Sequence, residues 1–169
     1  MTDVEAAGPV LPQERLHNFR DFGGRPGAEG RRVVRGRLFR SGHHARATEA
    51  DLAALRELDL RLVVDLRRAV ERRERPSRRP DPFEAMVIEH AGPEDVQELA
   101  PHLAHLAAPD VDEAKIRERV RTTYGGYSAD ETYVEVWRRY FPALAAADGP
   151  ILIHCHAGKD RTEIGRAHV

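Results

Sequence analysis

A chain of 169 residues, 41% apolar and 33% charged, suits one globular domain large enough for a real hydrophobic core. Its 27 Lys+Arg against 28 Asp+Glu give a net charge of −1, so no global field draws it to nucleic acid or anionic membrane. A single cysteine excludes an intramolecular disulfide and suits a reducing cytoplasm, the acidic N-terminus lacks the apolar region of a secretory signal, and no stretch approaches the ~20 apolar residues of a membrane span.

Residues 1–14 read as a loose leader, with Gly8-Pro9 and Pro12 breaking any helix. Short strands are expected over 18–24, 32–34 and 37–40, around turns at Gly23-Gly24, Gly27 to Gly30 and Gly36. Thr48 followed by Asp51 makes a variant capping box, and Leu52, Leu55 and Leu58 recur at helical spacing, which predicts a helix over about 49–58. The Val- and Leu-rich run 61–66 reads as a buried strand. A charge-dense short helix follows over 67–75, stopped by Pro76, and the Pro76, Pro80, Pro82 cluster is a loop. Residues 86–88 form another strand, and 94–107 and 111–121 look helical. The clearest helix covers 129–147, where Tyr133, Val136, Trp137, Tyr140 and Leu144 share one face. Asp148-Gly149-Pro150 ends it and feeds the apolar strand Ile151 to Ile153. Strands alternating with helices imply an α/β domain with a central, largely parallel sheet flanked by helices, and such sheets bind ligands at the carboxyl ends of their strands.

The loop leaving that last strand carries the only cysteine, in the run His154-Cys155-His156-Ala157-Gly158-Lys159-Asp160-Arg161-Thr162. Such a loop wraps its backbone N–H groups into an anion cradle, closed by the N-terminus of a following helix. A cysteine in that field becomes a thiolate, and Arg161 offers a planar fork for two phosphate oxygens. The thiolate attacks phosphorus, and the phosphocysteine is then hydrolysed. A cysteine at a strand end can also be simple packing, but packing accounts for neither the Cys-x5-Arg-Thr spacing nor Gly158, Lys159 and Asp160 around the arginine.

This segment resembles the signature loop of the cysteine-based protein tyrosine phosphatase superfamily, and its His-Cys-x-Ala-Gly-Lys-Asp-Arg-Thr form is similar to bacterial tyrosine phosphatases related to phosphoinositide phosphatases. Two upstream stretches support that subfamily in the order it uses: Leu16-His17-Asn18-Phe19-Arg20-Asp21-Phe22-Gly23-Gly24 with Arg37-Leu38-Phe39-Arg40-Ser41-Gly42, then Leu62-Val63-Val64-Asp65-Leu66-Arg67. The resemblance spans residues 16 to 162. It implies a tyrosine-phosphatase-like fold, no cofactor, and hydrolysis of phosphotyrosine esters, extending to phosphoserine, phosphothreonine or phosphoinositide. The implied partners are phosphoproteins or phosphoinositides, with no nucleic acid and no stable membrane insertion. Cys155 and Arg161 take the catalytic roles, and His156, Ala157, Gly158, Lys159 and Thr162 bind substrate. Lys159 is one of only two lysines, the other being Lys115, and adds cation to the pocket.

The general acid stays open between two carboxylic acids. The resemblance favours Asp160, within the loop; Asp65, ending a strand at the same sheet edge, is the competitor. Their plainer roles are ion pairs with Arg161 and Arg67 respectively. His154 reads as support for the loop and thiolate, Thr162 as a hydrogen-bond partner of the cysteine sulfur or the N-cap of the next helix, and Arg20 and Asp21 as ties between N-terminal strands and sheet. Nine histidines include the pairs His43-His44, His102 and His105, and His154 and His156, but no cysteine or carboxylate cluster completes a four-ligand set, so no metal is expected. The rivals to a phosphatase are a rhodanese-like sulfurtransferase, which also uses a loop cysteine, and a catalytically incompetent phosphate-binding fragment.

The family pattern continues Arg-Thr-Gly into a long apolar helix, whereas this chain continues Glu163-Ile164-Gly165-Arg166-Ala167-His168-Val169. Those seven residues can be encoded as GAG ATC GGA AGA GCA CAC GTC, which from the second base is the start of a common sequencing-library adapter. The expected organisation is therefore a leader over 1–14, an incomplete phosphatase domain over 15–162 lacking its C-terminal helices, and a non-native tail over 163–169.

Overall fold

The computed structural model describes residues 13–90, 92, 112–127 and 130–166. Residues 1–12 of the expected leader and the helix expected over 94–107 lie outside the described residues. The elements, in chain order, are β1 (Arg20–Asp21), a 3-10 turn (Ala28–Gly30), β2 (Leu38–Ser41), α1 (Glu49–Glu57), β3 (Leu62–Asp65), α2 (Ala69–Glu74), β4 (Met86–Glu89), α3 (Glu113–Gly126), α4 (Glu131–Ala146), β5 (Ile151–His154) and α5 (Asp160–Arg166).

The five strands form one sheet in the order β1-β2-β5-β3-β4, parallel throughout except for the antiparallel pairing of β1 with β2. The domain is α/β, with a central, largely parallel sheet flanked by helices, as the alternation of strands and helices implies. In β2, β3 and β5 every residue is buried, the mark of parallel strands covered on both faces. The two faces divide the side chains by the period of two. Leu38, Leu62, Val64, Ile88, Ile151 and Ile153 pack with Val136 and Tyr140 of α4. Phe39, Val63 and Leu152 pack with Leu52 and Leu55 of α1 and with Leu16 and Phe19.

The helices begin where local chemistry allows. Thr48 Oγ1 accepts from Asp51 N at 3.2 Å while Asp51 Oδ2 accepts from Thr48 N at 3.0 Å, the reciprocal box expected at the start of α1. The same carboxylate accepts from the N–H groups of Glu14 and Arg15, which clasps the N-terminal segment to the helix. Asp130 caps α4 through the Thr132 N–H.

Two expectations need correction. Only Arg20–Asp21 of the expected strand 18–24 pairs, because Asn18 turns left-handed (φ 56°) and Asp21 accepts from the N–H of both Gly23 and Gly36. Its polar groups make a turn instead of a ladder. Residues 32–34 form no strand; Arg32 makes an isolated bridge to Pro26.

Candidate active site

Register gathers the site. Ser41, His154 and Asp65 lie side by side at the carboxyl edge of β2, β5 and β3, and the loop from Cys155 to Lys159 springs from the middle strand. Cys155 is buried beneath that loop. Gly158 takes φ +68°, and a Cβ there would fall 2.3 Å from the Ser41 carbonyl carbon, so the loop packs on the end of β2 as only glycine permits.

Arg161, in the first turn of α5, runs to the β3–α2 junction. Its Nη1 and Nη2 donate to Oε2 and Oε1 of Glu71 at 2.6 and 2.8 Å, and Nη1 also donates to the Leu66 carbonyl at 3.1 Å. Three of five guanidinium hydrogens thus fix the side chain, and the Tyr133 hydroxyl is a further hydrogen-bond partner. Burial works against its charge, but the Glu71 hydrogen bonds outweigh that and hold Arg161 more firmly protonated than usual. Burial likewise pushes Glu71 up, and the Arg161 hydrogen bonds and charge more than reverse it, to about 2. The expected alternative pairing of Arg161 with Asp160 is therefore corrected: the partner is Glu71. Sequence reasoning missed it because Glu71 sits in a charge-dense helix far from the motif. The one local signal is that it caps that helix, accepting from the Arg68 N–H at 2.9 Å.

The two carboxylic acids occupy contrasting places. Asp65 is fully buried in a fork–fork pair, with Arg67 Nε donating to Oδ1 at 2.9 Å and Nη2 to Oδ2 at 2.6 Å. Burial would raise its pKa, but His154 and, with that imidazole neutral, chiefly the Arg67 fork bring it to about 2. Asp160 is more open; its Oδ1 accepts from the Tyr124 hydroxyl and lies 3.4 Å from Lys159 Nζ. Burial and then the Asp160 hydrogen bond hold the Tyr124 phenol protonated well above its usual range. Tyr127 and Tyr133 continue an aromatic wall from Tyr124, at ring separations of 6.1 and 5.1 Å. This wall is not legible in the chain itself, since nothing in the residues of α3 links them to the loop.

The remaining candidates fall around the loop. His156 lies half-buried beside His43, their rings 4.8 Å apart, with its Nδ1 3.6 Å from Glu71 Oε1. His154 stacks on His44 at 4.5 Å beneath the cysteine. His44 in turn contacts Ser41 Oγ through Nε2 at 2.9 Å and Arg79 through Nδ1 at 3.1 Å. An arginine only donates, so Nδ1 is the acceptor and His44 is the neutral Nε2–H tautomer. Burial, then its neighbouring cations, keep the pKa of His154 at about 4. Thr162 lies within α5 rather than capping it, and its buried Oγ1 has no hydrogen-bond partner among the described residues, the cysteine sulfur included. Among the described residues no three of His, Cys, Asp and Glu converge as a metal site, and no helix is long and apolar enough to cross a membrane.

Over 158 residues, 90% of its length, the chain is 37% identical to a Cupriavidus necator protein whose name assigns it, provisionally, to the tyrosine-protein phosphatases. Over 162 residues, 86% of its length, it is 32% identical to the triple specificity protein phosphatase PtpB of Mycobacterium tuberculosis. The matches cover 53% and 57% of those proteins, so the chain spans about half the length of the curated relatives it matches. The tyrosine phosphatase family model matches residues 11–169, nearly the whole chain, and the chain belongs to that family.

Proposed function

We propose that this protein hydrolyses phosphate monoesters through a phosphocysteine intermediate, without a metal. Phosphotyrosine is the first substrate, and the exposed Lys159 ammonium at the loop admits the more anionic phosphoinositides alongside phosphoserine and phosphothreonine. The observation that carries this reading is Arg161 clamped by Glu71 and the Leu66 carbonyl at the far end of the loop that begins with Cys155. A guanidinium fixed in advance loses little freedom when it grips an oxyanion, and it stabilises the charge of a phosphoryl transition state.

In the reaction, Cys155 Sγ bonds to phosphorus as the ester oxygen departs with a proton from Asp160. Water then attacks the phosphocysteine, giving its proton to the same carboxylate and releasing phosphate with the thiolate. Asp65 does not suit the acid role: held at about 2 by its pairing, it has no proton to give near neutral pH.

Release of phosphate from p-nitrophenyl phosphate tests the reading. Cys155→Ser abolishes turnover and Arg161→Lys lowers it severely, because a point charge cannot replace the fork. Asp160→Asn slows phenyl phosphate more than p-nitrophenyl phosphate, since only the poorer leaving group needs the proton. Wild-type turnover by Cys155→Ser, or thiosulfate-to-cyanide sulfur transfer in place of phosphate release, would overturn it.

A further inference from the structure

Four successive carbonyls of the catalytic loop are gripped by the segment containing β1 and β2. The His43 N–H donates to His156 O at 3.0 Å. Asn18 Nδ2 donates to Ala157 O at 2.8 Å. Arg40 Nη2 donates to Gly158 O at 2.7 Å and to Lys159 O at 3.3 Å. A trans peptide is planar, so the N–H of each residue points opposite to the carbonyl before it. Turning these four carbonyls outward turns the N–H groups of Ala157, Gly158, Lys159 and Asp160 to the other side of the loop. No acceptor among the described residues takes the N–H of Ala157, Gly158 or Lys159. Consecutive N–H groups sharing one direction form an anion-binding concavity.

The two side-chain donors are themselves held. Asn18 adopts the left-handed conformation, and its Oδ1 accepts from Arg20 Nη2 at 3.1 Å, which directs the amide nitrogen at the loop. Arg40 projects from β2 on the same face as Leu38, into a position only 8% exposed where an apolar side chain would pack. Placing a guanidinium there is costly unless carbonyls or carboxylates receive it, and the loop carbonyls do. Its other contact, Nη1 with Glu163, lies outside this carbonyl grip.

We propose that Asn18 and Arg40 are positioning residues of the catalytic loop: they hold its carbonyls outward and so aim its N–H groups at the bound phosphate, touching no substrate themselves. The proposal rests on the reading of this loop as a phosphate cradle and adds the residues that set its shape. It also gives the two upstream motifs, around Asn18 and Arg40, a task in oxyanion binding.

Tungstate, which occupies phosphate sites without turnover, is the probe, titrated by calorimetry into the full chain and its variants, with urea midpoints measured alongside. Asn18→Asp keeps the size and turn preference but replaces the donor by an acceptor facing Ala157 O. It weakens tungstate by roughly tenfold or more, the scale of losing a hydrogen bond and leaving a carbonyl unpaired. Arg40→Met does the same, Arg40→Lys recovers part of the affinity through its charge, and Glu163→Gly stays within about twofold of wild type, since the grip is on backbone carbonyls. In the amide spectrum of Asn18→Asp, the tungstate-induced shift of Gly158 is lost, which a general loosening of the fold would not do selectively. If Arg40→Met does not fold, Asn18→Asp and Arg40→Lys decide. Folded Asn18→Asp and Arg40→Lys variants that bind tungstate as wild type does would overturn the proposal, as would a loss on Glu163→Gly equal to that on Arg40→Lys. Tungstate binding without p-nitrophenyl phosphate turnover in the wild type would instead sink the phosphatase reading and leave this one standing, whereas no binding at all would sink both.

Discussion

Glu71 decides whether Arg161 is a tool or a loose side chain. Its carboxylate takes two guanidinium hydrogens, so Glu71→Gln replaces a charged fork with a neutral amide that can accept at only one atom. The expected result is a fall in kcat/KM on p-nitrophenyl phosphate of roughly 10–100-fold with a modest loss of stability, checked by steady-state kinetics and urea unfolding. Unchanged kinetics would mean that the clamp does not serve the chemistry. At this scale the sequence exposes what is contiguous. Cys155, Gly158, Asp160 and Arg161 stand in one short run, and their types and spacing announce an oxyanion site. Glu71 and Tyr124 meet that run only through the fold, with no local mark beyond the helix cap at Glu71, whereas Asn18 and Arg40 stand in the upstream motifs of the resemblance without showing there what they touch. The plainer role of Asp160, a pairing with Arg161, fails for a local reason: successive residues of a helix do not face one another. Asp160 turns to Tyr124 and Arg161 to Glu71.

Strand β5 leads directly into Cys155, the proposed nucleophile, and its burial gives the loop a packed base. Ile153 is 1% exposed, packs in the cluster against α4, and pairs in register with Arg40 on one side and Val64 on the other. Ile153→Ala should cost about 2–5 kcal/mol, read as a lower urea midpoint at unchanged slope. A loss below half a kcal/mol would show that the strand is not the packed base described. The parallel strands were legible because burial on both faces writes them as unbroken apolar runs. Helix α1 was legible from its capping box and leucine spacing, and α4 from its apolar stripe. Helix α3 runs further than its expected end at 121, through Thr122, Tyr124, Gly125 and Gly126, against their low helix propensity. Tyr124 reaches Asp160 from that last stretch, so a tertiary contact overrides the local preference. The start of α5 was misplaced by the same blindness: Asp160 opens the helix, so Thr162 falls inside it.

At the scale of the whole molecule, the buried histidines and paired carboxylates make stability a function of pH. Burial, aided by neighbouring cations, depresses His43, His90 and His154 to about 4 and His44 well below its usual value. Unfolded, these rings titrate near ~6.5, so between about pH 6.5 and 4 the unfolded chain binds more protons and stability falls as pH falls. Glu71 and Asp65, at about 2 when folded, extend the loss as pH drops from the ordinary carboxylate range toward 2. Urea midpoints measured from pH 8 to 4 should hold steady above 7 and then decline; a midpoint that rises on acidification would contradict the neutral, buried state of His44 and His154. With these imidazoles neutral, the charge that would favour a phosphate in the proposed site comes from Arg161, Lys159 and the peptide N–H groups, not from histidinium. In the proposed chemistry Cys155 accepts the phosphoryl group. The most direct test mixes enzyme with radiolabelled aryl phosphate, stops the reaction in acid within milliseconds, and counts label bound to protein. The account predicts up to one phosphate per chain on Cys155, lost when fresh unlabelled substrate is supplied and absent in Cys155→Ser. Rapid phosphate release by an enzyme that never carries the label, or that carries it in Cys155→Ser, would contradict it.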